Sequence, residues 1–212
     1  SQDGAALERR SNSIIRYHVT TGYLGDHRFE LLRGIAQTVR DAMQQQGAKH
    51  ILAFFDENSR DDPRWLIGHH FTQENYAFLL EKVLTHPWLG WVIKPKAPKT
   101  LRRRLGPVAE LLQRAEATGR CQVIEEGSES QGVYPPALAA LDGEIAMHGN
   151  LIAATAGFES ALAGVPTLML DREGWTQSPL HKLGAGQLVF TSWEEMWQRC
   201  QEQWARPEGI PG

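Results

Sequence analysis

The chain alternates short apolar runs with longer amphipathic stretches. Phe29, Leu32, Ile35, Ala36, Val39 and Met43 recur at three- and four-residue spacing, which predicts a helix over 29–46 ended by Gly47. Continuous apolar runs at 51–55, 91–93, 121–124, 144–148, 167–170 and 187–190 then read as strands. Helical patterns at 74–84, 108–117, 134–141, 158–163 and 179–183 separate them. Ser192 caps a last helix running to about 204. A further short strand is expected at 14–19, after a polar stretch over 1–13.

Strands separated by helices imply βαβ units, whose right-handed crossovers build a parallel sheet. The runs lack inside/outside alternation, as strands buried on both faces do. The expectation is an α/β fold: a Rossmann-like parallel sheet of about six strands with helices on both faces. Residues 1–47 read as an N-terminal extension with one helix, 48–205 as the α/β domain, and 206–212 as a linker or truncated tail. The missing initiator Met and that Pro/Gly tail suggest a piece of a longer protein.

Composition then removes several classes. With 42% hydrophobic residues in 212, the chain can build a core and is not disordered. Lys and Arg total 22 against 25 Asp and Glu, a net charge of −3, which argues against a nucleic-acid partner. No apolar run approaches the roughly 20 residues of a membrane span. No signal peptide is recognisable. Cys121 and Cys200 are too few and too far apart for a disulfide framework, so a cytoplasmic setting is expected.

In an open α/β sheet, ligands bind beyond the carboxyl ends of the strands. The loops to search are therefore 56–64, 94–99, 125–131, 148–157 and 171–178. The most informative stretch is 154–168. Small residues through Gly157 lead into a helix start, whose unpaired N–H groups and dipole attract phosphate. Gly157 permits close approach of a ligand to the backbone. Glu159 in the first turn suits ribose hydroxyls. The plainer reading stands level with this: Glu159 complements the dipole, and Gly164-Val165-Pro166 is a turn into a strand.

Thr155-Ala156-Gly157-Phe158-Glu159-Ser160-Ala161-Leu162-Ala163-Gly164-Val165-Pro166 resembles the S/T-x-x-x-E-x-x-x-x-G-x-P segment of GT-B glycosyltransferases. It resembles most the bacterial capsule and surface-polysaccharide transferases, in their C-terminal nucleotide-sugar-binding domain. Ile51 to Asp56 with Glu57-Asn58, Val92-Ile93-Lys94-Pro95, and Leu168 to Gly174 resemble other elements of that domain. The likeness spans roughly 48–204. It implies that Thr155, Ala156 and Gly157 hold the donor diphosphate, with Ser160 also among the nucleotide-sugar-binding residues. Glu159 is implied to bind the donor ribose or sugar, and Lys94 to face the phosphates. Lys96 stands where the family has a histidine and offers a second cation. Glu126, Tyr134, His148 and Asn150 are further candidates on the neighbouring loops.

The implied function is the donor-binding domain of a glycosyltransferase. It would pass a sugar from a nucleotide-sugar to a surface-glycan acceptor, with no metal and no cofactor beyond the donor substrate. The catalytic base is expected on a missing N-terminal domain, and the full-length protein at the inner face of a membrane. Two alternatives remain: a sugar-nucleotide epimerase or hydrolase of the same fold, and a non-catalytic partner-binding domain using Trp193 or Trp197.

Other features read as structural. His69-His70, with Asp61-Asp62, is expected in an extended loop where adjacent histidines point apart, which makes a poor metal site. Residues 56–62 read as a solvated polar loop. Arg102-Arg103-Arg104 reads as a solvated helix start, with an acidic acceptor or a membrane surface as the lesser alternative. Cys121 reads as packing, and Gly184 with Gly186 as a turn.

Overall fold

The computed structural model of the chain describes residues 22–205 apart from 24, 63, 66, 125–134, 153 and 185, plus four isolated positions before residue 22. The six strands are β1 (His50–Phe55), β2 (Leu89–Lys94), β3 (Cys121–Val123), β4 (Ile145–His148), β5 (Thr167–Leu170) and β6 (Val189–Phe190). Every neighbouring pair is parallel, in the order β3-β2-β1-β4-β5-β6. The chain thus builds outward from β1 to β3, then returns to lay β4 on the other side of β1. That reversal leaves a crevice between the carboxyl ends of β1 and β4, where folds of this kind bind ligands.

Helices cover both faces. They are α1 (Phe29–Gln45), α2 (His69–Thr85), α3 (Leu101–Leu105), α4 (Ala109–Glu116), α5 (Pro136–Asp142), α6 (Thr155–Leu162), α7 (Leu180–Gly184) and α8 (Trp193–Ala205). Strand side chains alternate between the two layers. Leu52 and Phe54 of β1 join a core with Leu79 and Leu80 of α2, Leu112 of α4 and Trp193 and Trp197 of α8. Ile51, Ala53 and Phe55 join the opposite core with Leu32 and Met43 of α1 and Leu138 of α5. The continuous apolar runs in the sequence follow from this two-sided burial. Both tryptophans are core residues of the first layer.

Local signals account for several boundaries. Gly47 adopts φ +95°, a conformation that costs other residues a steric clash, and α1 stops there. Ser192 Oγ accepts the Glu195 N–H at 3.3 Å, capping α8. On α1 the expected apolar face is only partly covered, since Ile35 is 49% exposed while Leu32 and Ala36 are buried. The helix expected from 74 begins at His69 instead. His69 and His70 therefore start a helix and do not lie in an extended loop. In the first turn of α2, His69-His70-Phe71-Thr72, Phe71 is the single apolar residue, so apolar periodicity shows only from the next turn. The strand expected at 14–19 lies partly outside the described residues, and its described positions Ile14, Tyr17 and Val19 are exposed and in no strand. The tail 206–212 also lies outside them. Among the described residues, no helix is long and apolar enough to cross a membrane.

Candidate functional site

The loop after β1 is anchored from below rather than solvated. Asp56 is buried and accepts the Lys96 N–H at 2.6 Å and the Tyr76 hydroxyl at 3.0 Å. Arg104 Nη2 lies 3.6 Å from Asp56 Oδ2. The same guanidinium donates to Ser59 Oγ, Thr100 Oγ1 and the Ala97 carbonyl. Burial raises the Asp56 carboxyl above its ordinary range, and Arg104 opposes that rise. This corrects two expectations. Arg104 is a buried tie between α3 and the loops after β1 and β2, not part of a solvated basic run, whereas Arg102 and Arg103 do face water. The 56–62 loop is solvated only at its outer positions, since Asp56 and Ser59 are buried.

Beside this tie, three strand ends meet at the crevice. Glu57 Oε1 lies 3.9 Å from Lys96 Nζ and 4.0 Å from His148 Nε2. Burial raises the Glu57 carboxyl, with Lys96 opposing. His148 is completely buried and burial pushes it down to about 4, so the ring is neutral near pH 7. Its Nδ1 sits 2.6 Å from the Asn150 carbonyl oxygen and donates to it, which leaves Nε2 as a shielded acceptor without a hydrogen-bond partner. Lys94, the last residue of β2, is in register with Phe55 of β1. The structure therefore gathers Lys96, His148 and Asn150 at the β1/β4 crevice. The apolar and charged pattern alone gave no reason to single out Glu57.

The loops after β4 and β5 form a second connected unit. Asn150 is buried and its side-chain amide donates to Glu173 Oε1 at 2.5 Å. Glu173 Oε2 is shielded from water and has no hydrogen-bond partner. Asp171, also buried, takes the Trp175 N–H at 3.0 Å on one oxygen and His181 Nε2 at 2.8 Å on the other. Asn75 of α2 receives Trp193 Nε1 at 2.9 Å and Arg172 Nη2 at 3.0 Å, and gives its amide to the Gly149 carbonyl at 3.4 Å. Between these loops lies an open cleft of about 700 Å³, lined by residues 151–152 and 173–178. That volume falls in the range of about 300–1,000 Å³ typical of small-molecule sites. The sequence signal for Asp171 and Glu173 was their position just after β5; His181, in α7, carried none.

The 155–160 segment divides between surface and interior. Thr155 is exposed and Ala156 packs partly on the α1/α5 side of the sheet. Gly157 does a packing job: a Cβ there would come within 2.8 Å of Met169 Cε, so its absence lets α6 settle onto β5. Ser160 Oγ donates back to the Ala156 carbonyl at 2.7 Å. Glu159 is buried, and its Oε1 accepts the Ala137 N–H at 2.8 Å, satisfying a free donor at the start of α5. Its Oε2 accepts the Tyr23 hydroxyl. Neither Glu159 nor Lys94 lines the 700 Å³ cleft. Glu126 and Tyr134 lie outside the described residues.

Three further features complete the picture. Ser59 Oγ and His69 Nδ1 are 2.9 Å apart, which ties His69 into the loop after β1. No group of three or more His, Cys, Asp or Glu among the described residues is arranged to hold a metal. Cys121 and Cys200 are buried free thiols; burial pushes the Cys121 thiol up to about 12 and raises Cys200 well above the ordinary thiol range, and both belong to the core. No known family model matches the chain, and no curated protein matches its sequence.

Proposed function

We propose that this chain is a nucleotide-sugar-binding domain of GT-B type, serving transfer of a sugar to a glycan acceptor. What supports the reading is the position of the segment whose sequence resembles that family. The segment enters α6 directly after β4, the strand that borders the crevice. Its glutamate already holds a hydroxyl, that of Tyr23, on one carboxylate oxygen. A ribose presents the same donor chemistry to the same acceptor. In this reading a donor displaces Tyr23 and takes over its bond. Lys96, with its side chain 59% exposed in the loop after β2, supplies a cation for a diphosphate at the crevice. The base that activates the acceptor is assigned to another domain, so the chain alone binds donor and transfers poorly.

Calorimetry with UDP-, GDP- and CMP-linked sugars and the free nucleotides tests this. One nucleotide class is expected to bind. Glu159→Gln keeps one acceptor oxygen for the Ala137 N–H but puts an amide donor where the Tyr23 or ribose hydroxyl donates, and should weaken that binding roughly tenfold. Lys96→Ala should weaken the diphosphate and its sugar conjugates alike. No binding to any member of the panel, or full affinity in Glu159→Gln, would overturn the proposal.

A further inference from the structure

Glu57 stands between two groups and is hydrogen-bonded to neither of them. Its Oε1 lies 3.9 Å from Lys96 Nζ on one side and 4.0 Å from His148 Nε2 on the other, both beyond hydrogen-bond length. The two neighbours favour opposite protonation states of the carboxyl. Lys96 is a cation and favours the carboxylate. His148 Nε2 is a bare acceptor: Nδ1 lies 2.6 Å from the Asn150 carbonyl oxygen, a contact that requires the hydrogen on Nδ1. That contact outweighs the longer approach of the Asn150 N–H, at 3.3 Å. A carboxylate repels the Nε2 lone pair, whereas a protonated carboxyl can donate to it.

Nε2 is closed off from solvent and lacks a hydrogen-bond partner, an unfavourable state that a donor would relieve. Glu57 is the side chain placed to supply that donor, and a small rotation would close the gap. Burial already raises its carboxyl, and the charge of neighbouring Asp56 adds to the rise. Against them, Lys96 and the Asn58 N–H hold the charged form. On the other side, burial and the Lys96 charge both disfavour an imidazolium at His148, whose ring lies along Phe55. A proton entering this pair therefore rests on Glu57, with His148 accepting.

We infer that an anionic ligand engaging Lys96 releases Glu57 to take up one proton and hydrogen-bond His148 Nε2 through it, so that ligand binding and proton uptake are one event. The proton comes from solvent. One O–H bond forms on Glu57, no other covalent bond changes, and Lys96 turns its whole charge to the ligand. The inference rests on the proposed function for the identity of the anion, a diphosphate. Because the coupling is reciprocal, affinity falls as pH rises between the free and the bound titration of Glu57, by at most about tenfold per pH unit.

Calorimetry on the whole chain with UDP, GDP and inorganic pyrophosphate, run in Hepes and in Tris, counts protons from the difference in buffer ionisation heat. The comparison is with Glu57→Gln, which cancels protons carried by the ligand. Its amide is always neutral and can donate to Nε2, so it imitates the protonated carboxyl. The original chain should take up close to one proton more than the variant. Its affinity should fall about tenfold relative to the variant between about pH 6 and about pH 8, leaving Glu57→Gln the tighter binder at the upper end. A second measurement needs no ligand. Lys96→Met removes the cation from an exposed side chain and keeps the backbone N–H that binds Asp56. Glu57 should then pair with His148 and move the Nε2 nitrogen NMR resonance from the bare toward the hydrogen-bonded range. If a ligand binds with equal proton counts in the original chain and Glu57→Gln, the inference is overturned and the nucleotide-binding reading survives. If none binds, that reading falls and the Lys96→Met resonance decides alone: a shift upholds the exchange of Glu57 between its two neighbours, and an unmoved resonance overturns it.

Discussion

Arg104 Nη2 lies 3.6 Å from Asp56 Oδ2, with the two side chains only 2% and 3% exposed. A pair so shielded is costly to break, because removing one partner strands the other's charge in a medium of low polarity. Arg104→Ala should therefore cost about 3–5 kcal/mol of stability. Adding Asp56→Asn in the same chain should recover part of that loss. Urea unfolding of the two single variants and the double variant reads this directly. Independent, additive effects would contradict the pairing.

Asp142 predicts a pH dependence of one sign. Both of its carboxylate oxygens are buried without hydrogen-bond partners, and burial pushes the carboxyl up to about 8, with Arg40 opposing. Between about pH 4 and 8 the folded chain holds a proton that the unfolded chain has released. Stability from this group therefore falls as pH rises through that window, by at most about 1.4 kcal/mol per unit, and levels off above it. Asp142→Asn should gain on the original chain steadily from about pH 5 to about pH 8. An equal difference at both ends of the range would refute the assignment.

His148 acts in the opposite sense. Its folded value of about 4 lies below the ordinary 6.5, so the unfolded chain takes up a proton first as pH falls. The stability it contributes is intact above about 6.5 and is lost between there and about 4. In that lower window the contributions of His148 and Asp142 offset each other, so the original chain shows a shallow profile. His148→Gln should expose a steeper fall of stability with rising pH. Denaturant midpoints across the acid range would reveal whether the slope changes.

Two glycines should respond differently to a methyl group. A Cβ on Gly143 would sit 2.9 Å from the Ala53 nitrogen and 3.2 Å from the Ile51 carbonyl oxygen, both backbone atoms of β1. Those atoms cannot yield without disturbing the sheet, so Gly143→Ala should cost about 2 kcal/mol or more. At Gly157 the nearest atom is the flexible end of Met169, at 2.8 Å. The roughly 1 kcal/mol gain in helix propensity there offsets much of the crowding. Thermal melts should show Gly143→Ala well below the original chain and Gly157→Ala close to it.

Much of the fold was legible because burial on both sheet faces writes itself into the chain as unbroken apolar runs. All six strands and their parallel arrangement follow from those runs and the helices between them, whereas their order in the sheet does not. The candidate site was legible only as a set of loops. His148, Asn150 and Lys96 were visible as residues just past strand ends. Glu57, Asp171 and Glu173 stood in the same searched loops but were not singled out, since a carboxylate in a polar loop looks the same whether it is solvated or held; His181, inside α7, carried no signal. Arg104 is the clearest case: within Arg102-Arg103-Arg104 no local signal marks which arginine turns inward.

The sequence by itself determined the alternation of strands and helices, the stop at Gly47 and the cap at Ser192. Each of these depends on neighbours within a turn or two. Only the tertiary structure decided which polar groups are buried together: Arg104 with Asp56, Glu159 with Tyr23 and Ala137, Asn150 with Glu173. The physical reason is that these contacts join residues far apart in the chain. Their energetics come from exclusion of water, which exists only once the layers have closed.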